Sequence, residues 1–143
     1  MTAFTKVVNL RREAYTVYIG RQDHRFHYGN PFSIRQSKFS TTEVASKYEA
    51  LLAFHDWLKG TRFKAGDPDE VEPERREWIL SNIEKLRGES LGCFCKPSEC
   101  HGDIYRVLLN EISLEEALGS TIPSHSNKKK NAQPDDSQQM GLF

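Results

Sequence analysis

Apolar residues along this chain change period several times, and each change marks an element. Val7–Leu10 (VVNL) and Tyr15–Ile19 (YTVYI) concentrate β-branched and aromatic side chains, the composition of strands. Arg11–Ala14 between them leaves two arrangements open: a hairpin, or a bend between strands placed separately. Arg21–Phe32, RQDHRFHYGNPF, keeps no period and carries the turn signal Gly29-Asn30-Pro31, so it reads as an ordered loop. Ser40 and Glu43 have capping-box spacing. Val44, Tyr48, Leu51, Leu52, His55 and Leu58 then recur at helical spacing until Gly60, which predicts a first helix. After the polar connection KAGDPDEVEP, a second helix is expected with Pro73 near its start. Its inward residues are Trp78, Ile79, Ile83 and Leu86, and Gly88 is its stop.

Leu91, Cys93 and Cys95 alternate with Gly92 and Phe94, predicting a strand with both thiols on one face. Lys96-Pro97 breaks it, and Ser98 is the expected N-cap of a third helix. Ile104, Val107, Leu108 and Ile112 form its core stripe, with a short helical coda at Leu114–Leu118. The expected fold is α/β: a small single domain whose sheet has about three to five strands, flanked by about three helices in a Rossmann-like two- or three-layer arrangement. Residues 1–118 would form this domain. Residues 119–138, rich in Ser, Asn, Gln, Lys and Pro, read as a solvated linker, and 139–143 as a terminal peptide.

Composition narrows the function classes. An apolar fraction of 37% with 10% aromatics supports one modest core. Lys+Arg and Asp+Glu cancel at 20 each, so no global field draws in nucleic acid, and any such contact is local. No apolar run approaches the ~20 residues of a membrane span, and the opening residues lack a signal peptide's apolar core. The expectation is therefore a cytoplasmic protein with no membrane partner. Its three cysteines are then expected to be reduced, metal-bound or catalytic, not a disulfide framework.

The segment LGCFCKPSECHGD holds all three of them, with His101, within nine residues. Cys100, His101 and Gly102 are expected in the first turn of a helix, where free N–H groups and the dipole favour anions or thiolates. A strand's carboxyl end feeding a helix amino end is where open α/β sheets place ligands. Three readings remain. Cys93, Cys95, Cys100 and His101 have the atom types of a zinc site, but adjacent helical residues point about 100° apart, which strains a shared metal. Alternatively Cys100 or Cys95 is a nucleophile and His101 an acid/base or phosphate contact, with Asp103 orienting a histidine or favouring the helix start. The third reading makes Cys93 a small core side chain and His101 a surface cap; for Cys93 alone it is preferred.

Other residues join this region. Arg21 closes a strand and is either a phosphate contact or a surface ion pair. Gly29, Asn30 and Phe32 form either a structural turn with Phe32 in the core or a rigid ligand wall, Asn30 supplying amide hydrogen bonds. Arg11 and Arg12 are candidate phosphate contacts, with Arg12 better read as part of a solvated turn. His24 and His27 read as surface histidines, and His55 as a boundary residue on the first helix.

The combination VVNLRR, YTVYIGR, GNPFSI and LGCFCKPSECHGD, in that order, resembles a family of small bacterial and phage proteins (domain of unknown function 4326). The resemblance runs from about residue 6 to 112. It implies an α/β fold and carries over no activity. Gln139-Met140-Gly141-Leu142-Phe143 resembles the peptide by which bacterial DNA polymerases and repair proteins dock on the replicative sliding clamp, the polymerase beta subunit. Gln139, Met140, Leu142 and Phe143 fill its contact positions, and a tether of about 20 residues would reach ~25 Å. The combined expectation is a DNA-metabolism protein recruited to that clamp, with a nucleotide- or phosphate-binding cleft lined by Arg21, Asn30, Cys95, Cys100 and His101, and DNA as a further candidate partner. The alternative is a non-catalytic phage adaptor or inhibitor that occupies the clamp, its Cys/His cluster structural or zinc-binding.

Overall fold

The computed structural model describes residues 4–22, 25–34 and 42–123. It is an α/β domain built on three parallel strands in the order β1-β5-β2: Lys6–Asn9, Ser90–Cys93 and Val17–Tyr18. Lys6 pairs with Ser90 and Asn9 with Cys93, while Tyr18 pairs with Gly92 on the other side. The two N-terminal strands therefore form no hairpin. They bend apart, and the last described strand enters between them. A second, two-stranded parallel pair joins β3 (Phe32–Ser33) to β4 (Thr42–Glu43).

Four helices complete the domain: α1 (Lys47–Lys59), α2 (Pro73–Asn82), α3 (His101–Leu108) and α4 (Leu114–Leu118). The first helix starts later than the hydrophobic pattern predicts. Its N-cap is Ser46, whose Oγ accepts from the Glu49 N–H at 3.1 Å, and Glu43 belongs to β4; Ser40 lies outside the described residues. Gly60 closes α1 with φ 83°, a left-handed conformation that glycine adopts without steric cost. The inward stripe is Ala50, Leu51, Ala53, Phe54, Trp57 and Leu58, leaving Tyr48, Leu52 and His55 half-buried. The second helix begins at Pro73 as expected, but turns into a 3-10 segment at Ile83–Leu86 before Gly88. No described helix is long and apolar enough to cross a membrane.

One core holds these pieces. Trp57, Phe54, Phe32 and Tyr105 are fully buried, and Phe54 meets the Tyr105 ring edge-on at 5.3 Å. Trp57 Nε1 donates to Val71 O at 2.7 Å, so this ring is buried with its one donor satisfied. Gly102 brings the start of α3 onto the sheet: a Cβ there would stand 2.7 Å from Ile19 Cδ1 and 2.9 Å from Val7 Cγ1. That close approach fixes where the amino end of α3 lies, beside the carboxyl ends of β2 and β5.

Candidate functional site

At that junction is an open cavity of about 740 Å³. Tyr18, Gly20 and Arg21 line it from the end of β2, and Cys93, Phe94 and Cys95 from the end of β5. Cys100 and His101 contribute from α3, Lys47, Ala50 and Leu51 from α1, and Asn30–Ile34 supplies Asn30, Phe32, Ser33 and Ile34. The position follows from topology, because parallel strands expose their carboxyl ends where the chain leaves for helices.

The sulfurs occupy one wall. β5 stops at Cys93, and the next residues turn, Ser98 N–H donating to Cys95 O at 2.8 Å. Cys95 is therefore exposed in the turn, while Cys93 and Cys100 are buried. Cys100, not Ser98, caps α3: its backbone is extended, and its Sγ accepts from the Gly102 N–H at 3.4 Å. This changes the expected geometry of the neighbouring pair. An extended Cys100 does not splay from His101 as two helical residues would, and its Sγ lies 3.7 Å from His101 Nδ1. Cys93 is buried in the core as expected, but it is the last residue of β5, not a mid-strand one, and there it meets Cys100 and Cys95.

Protonation follows from these contacts. Bonds from Cys100 and then Cys95, with the backbone N–H groups of Lys96 and Cys95, pull the Cys93 thiol pKa down against the effect of burial. The same bonds to Cys93 and Cys95, with burial, push the Cys100 pKa well up. For Cys95, contact with Cys100 lowers the pKa, but the bond to Cys93 and burial outweigh it and the net direction is upward. Among the three sulfurs, Cys93 is therefore the one favoured as thiolate, and Cys95 and Cys100 are favoured as thiols. His101 is placed by the 2.6 Å contact of Nε2 with Ile19 O. A carbonyl only accepts, so Nε2 carries the proton and Nδ1 is left as an acceptor toward Cys100. Burial pushes the His101 pKa down to about 4, and the ring is neutral at pH 7.

Two cations also line the cavity. Arg21 Nε donates to Asn30 O at 2.7 Å and Nη2 to Phe32 O at 3.0 Å. Arg21 thus both faces the cavity and fixes the loop over it. Burial lowers its pKa, yet a guanidinium remains charged at neutral pH. Lys47, the first residue of α1, adds a second cation, and Glu99 is the opposing acid. The Glu99 carboxylate is already engaged by Ser120, from the backbone N–H at 3.0 Å and the hydroxyl at 3.1 Å.

The loop residues divide into cavity and support. Phe32 is buried against Phe63 and Trp57 and presents only part of its surface to the cavity. The Asn30 amide is used structurally, donating to Ala50 O at 3.1 Å and accepting from the Phe32 N–H at 2.9 Å. Gly29 stands behind the wall: a Cβ there would lie 2.7 Å from Arg21 Cα. Asp103 orients no histidine. It is buried in ion pairs with Lys96 at 2.7 Å and Arg106 at 3.4 Å, because a carboxylate taken out of water requires such partners. His27 is buried, not superficial, with Nδ1 accepting from the Gly29 N–H at 3.0 Å; His24 lies outside the described residues.

Arg21, Asn30, Phe32, Cys95, Cys100 and His101 are therefore gathered as the sequence suggested, and Gly29 and Asp103 stand outside the cavity. Sequence reasoning missed Lys47, Glu99, Tyr18 and Ile34, together with the buried Arg75 that carries the loop. Lys47 was recoverable, because Ser46 and Glu49 repeat the capping spacing of Ser40 and Glu43. Among the described residues, no group of three or more His, Cys, Asp or Glu is arranged as a metal-holding set.

Comparison with known proteins decides the family. Residues 5–111 match the family described as Domain of unknown function (DUF4326). The chain belongs to this family. The DUF4326 match covers the whole sheet, the cavity wall and α3, so the cleft is built within the family's own segment. The chain is also 50% identical over 36 residues to an Enterobacteria phage T4 protein described as "Uncharacterized 12.4 kDa protein in nrdA-td intergenic region". That likeness covers 25% of this chain and 33% of the phage protein, so it spans about a third of that relative's length. No solved structure matches the chain.

Proposed function

We propose that this DUF4326 protein binds a nucleotide, or a similarly anionic molecule, in the cleft beside the sulfur cluster, and acts in DNA metabolism after docking on the bacterial sliding clamp through Gln139–Phe143. One observation carries the cleft: a cavity of about 740 Å³ at the carboxyl ends of β2 and β5, with Arg21 and Lys47 facing it. Its size is that of small-molecule sites, about 300–1,000 Å³. Phe32, Ala50 and Leu51 give it an apolar floor for a planar body, and the two cations suit an anionic end. Cys95 is the sulfur a ligand meets first, and Cys93, Cys100 and His101 are the groups able to share its proton. The clamp assignment rests on the terminal peptide's sequence alone, which lies outside the described residues.

Titration calorimetry of the full chain with thymidine monophosphate and with inorganic phosphate tests the cleft. Saturable heat is expected, with affinity falling roughly fivefold in Lys47→Gln; no heat at millimolar ligand would overturn it. Binding to purified clamp is expected to disappear in a chain ending at Gln138, and its persistence would refute the docking assignment. A second reading, compatible with the likeness to a phage protein, is an adaptor that only occupies the clamp. That reading predicts clamp binding with no nucleotide heat.

A further inference from the structure

We infer that the nucleotide enters this cleft as one unit of a single-stranded polynucleotide, and that Phe94 is the rim platform on which an adjoining base stacks. The inference rests on the proposed cleft and names its substrate class. Phe94 follows the last residue of β5 and is 53% exposed, whereas Leu91 and Cys93 within the strand are buried. It stands at the cavity wall and is held from two directions. Tyr18 meets it edge-on at 6.3 Å, and the Arg11 guanidinium lies 5.1 Å from its ring centroid.

The rim is built before any ligand arrives. Asn9 Oδ1 accepts from the Arg11 N–H at 2.9 Å, and Asn9 Nδ2 donates to Lys96 O at 2.8 Å. The turn that carries Arg11 is thereby tied to the turn that carries Phe94 and Cys95. An exposed aromatic beside a fixed arginine is the pairing that single strands use: the ring stacks a base and the cation meets the backbone. Arg11 on the rim and Arg21 and Lys47 in the cavity supply local positive charge, set against Glu99 alone among the cavity's acidic side chains. Because the chain's charges cancel overall, duplex binding driven by phosphates is not favoured. A nucleotide seated within the cavity leaves Phe94 for its neighbour along a strand.

Fluorescence anisotropy with a labelled short oligothymidylate, competed by thymidine monophosphate, tests this on the full chain. The oligonucleotide is expected to bind about tenfold or more tightly than the monophosphate. Phe94→Ala should weaken it by about tenfold, as loss of a stacking platform does, and Phe94→Trp should keep it. Arg11→Gln should reduce the salt dependence of oligonucleotide binding by about one unit of slope. Equal affinities for the two ligands, with the monophosphate bound, would overturn the inference and leave the cleft assignment standing. Phe94-dependent oligonucleotide binding without monophosphate binding would overturn the cleft assignment and the entry of a nucleotide with it, leaving only the stacking platform. No change in Phe94→Ala refutes the platform outright.

Discussion

Lowering the pH should destabilise this protein through His101 before most carboxylates titrate. Its Nε2–H is bound to Ile19 O at 2.6 Å, and its ring is flanked edge-on by Phe54 at 5.4 Å and Tyr105 at 6.0 Å. A proton on Nδ1 would place charge among aromatic rings and remove the acceptor that faces Cys100 at 3.7 Å. Burial accordingly takes the pKa from 6.5 to about 4 in the folded protein. The unfolded chain binds the proton first, so the contribution is complete above about pH 6.5 and declines as pH falls below it. The loss is finished near pH 4. Such a shift is worth at most about 3 kcal/mol, and the ring's residual solvent contact brings the expected value nearer 2 kcal/mol.

Urea unfolding at intervals between pH 7 and pH 4, on the parent and on His101→Gln, reads this directly. The glutamine can still donate to Ile19 O but does not titrate. Carboxylates such as Glu116, whose pKa the Ser113 backbone N–H lowers, affect both proteins alike and cancel in the difference. The parent should lose about 2 kcal/mol more than the variant across the window. Superimposable pH profiles, or an imidazole titrating near 6.5 by NMR, would refute the assignment of a neutral, solvent-shielded ring.

Two further outcomes are expected. Arg75 is almost fully buried and donates to His27 O at 2.8 Å and Gly29 O at 2.7 Å while pairing with Glu72 at 2.7 Å; Arg75→Met should cost about 3–5 kcal/mol in urea unfolding, and a loss below about 1 kcal/mol would show that the loop does not depend on it. Iodoacetamide on the native protein should alkylate Cys95 first, since access limits Cys93 and Cys100; peptide mass spectrometry finding Cys100 labelled earliest would contradict the cluster's geometry.

What could be read from the chain is local. The strand composition of VVNL and YTVYI, the helix after Pro73 and the strand-to-helix passage at LGCFCKPSECH are all present, and the loop through Gly29-Asn30-Pro31 holds until Phe32, which opens β3. The errors arise where several local signals are equivalent or where contacts come from afar. Ser40/Glu43 and Ser46/Glu49 offer the same cap; pairing of Thr42–Glu43 with Phe32–Ser33 claims the first for a strand and leaves the second to start α1. The inward face of α1 rotates toward Ala50, Phe54 and Trp57 because the largest rings take the core, a choice that a list of apolar positions does not rank. Arg75 belongs to no apolar stripe, and no local signal in the sequence singles it out. Only the carbonyls of His27 and Gly29, more than forty residues earlier, explain why it is inside.

The cavity was easier to locate than the sheet around it, and the reason is physical. Which strands pair is decided by contacts across the whole chain: β5 enters between β1 and β2, and nothing in their composition names their partner. A ligand position at a strand's carboxyl end needs only the strand, the turn after it and the helix that follows, all within Ser90–Leu108. The chemistry inside that span is less legible, because it depends on which residue caps the helix. Sulfur is outside the usual set of capping atoms, so Ser98 was the expected choice. Moving the cap two residues on, to Cys100, frees that residue from helical geometry, turns its sulfur toward His101 and closes the cluster with Cys93. One change of cap thus brings together three sulfurs and an imidazole that helical geometry would have splayed apart.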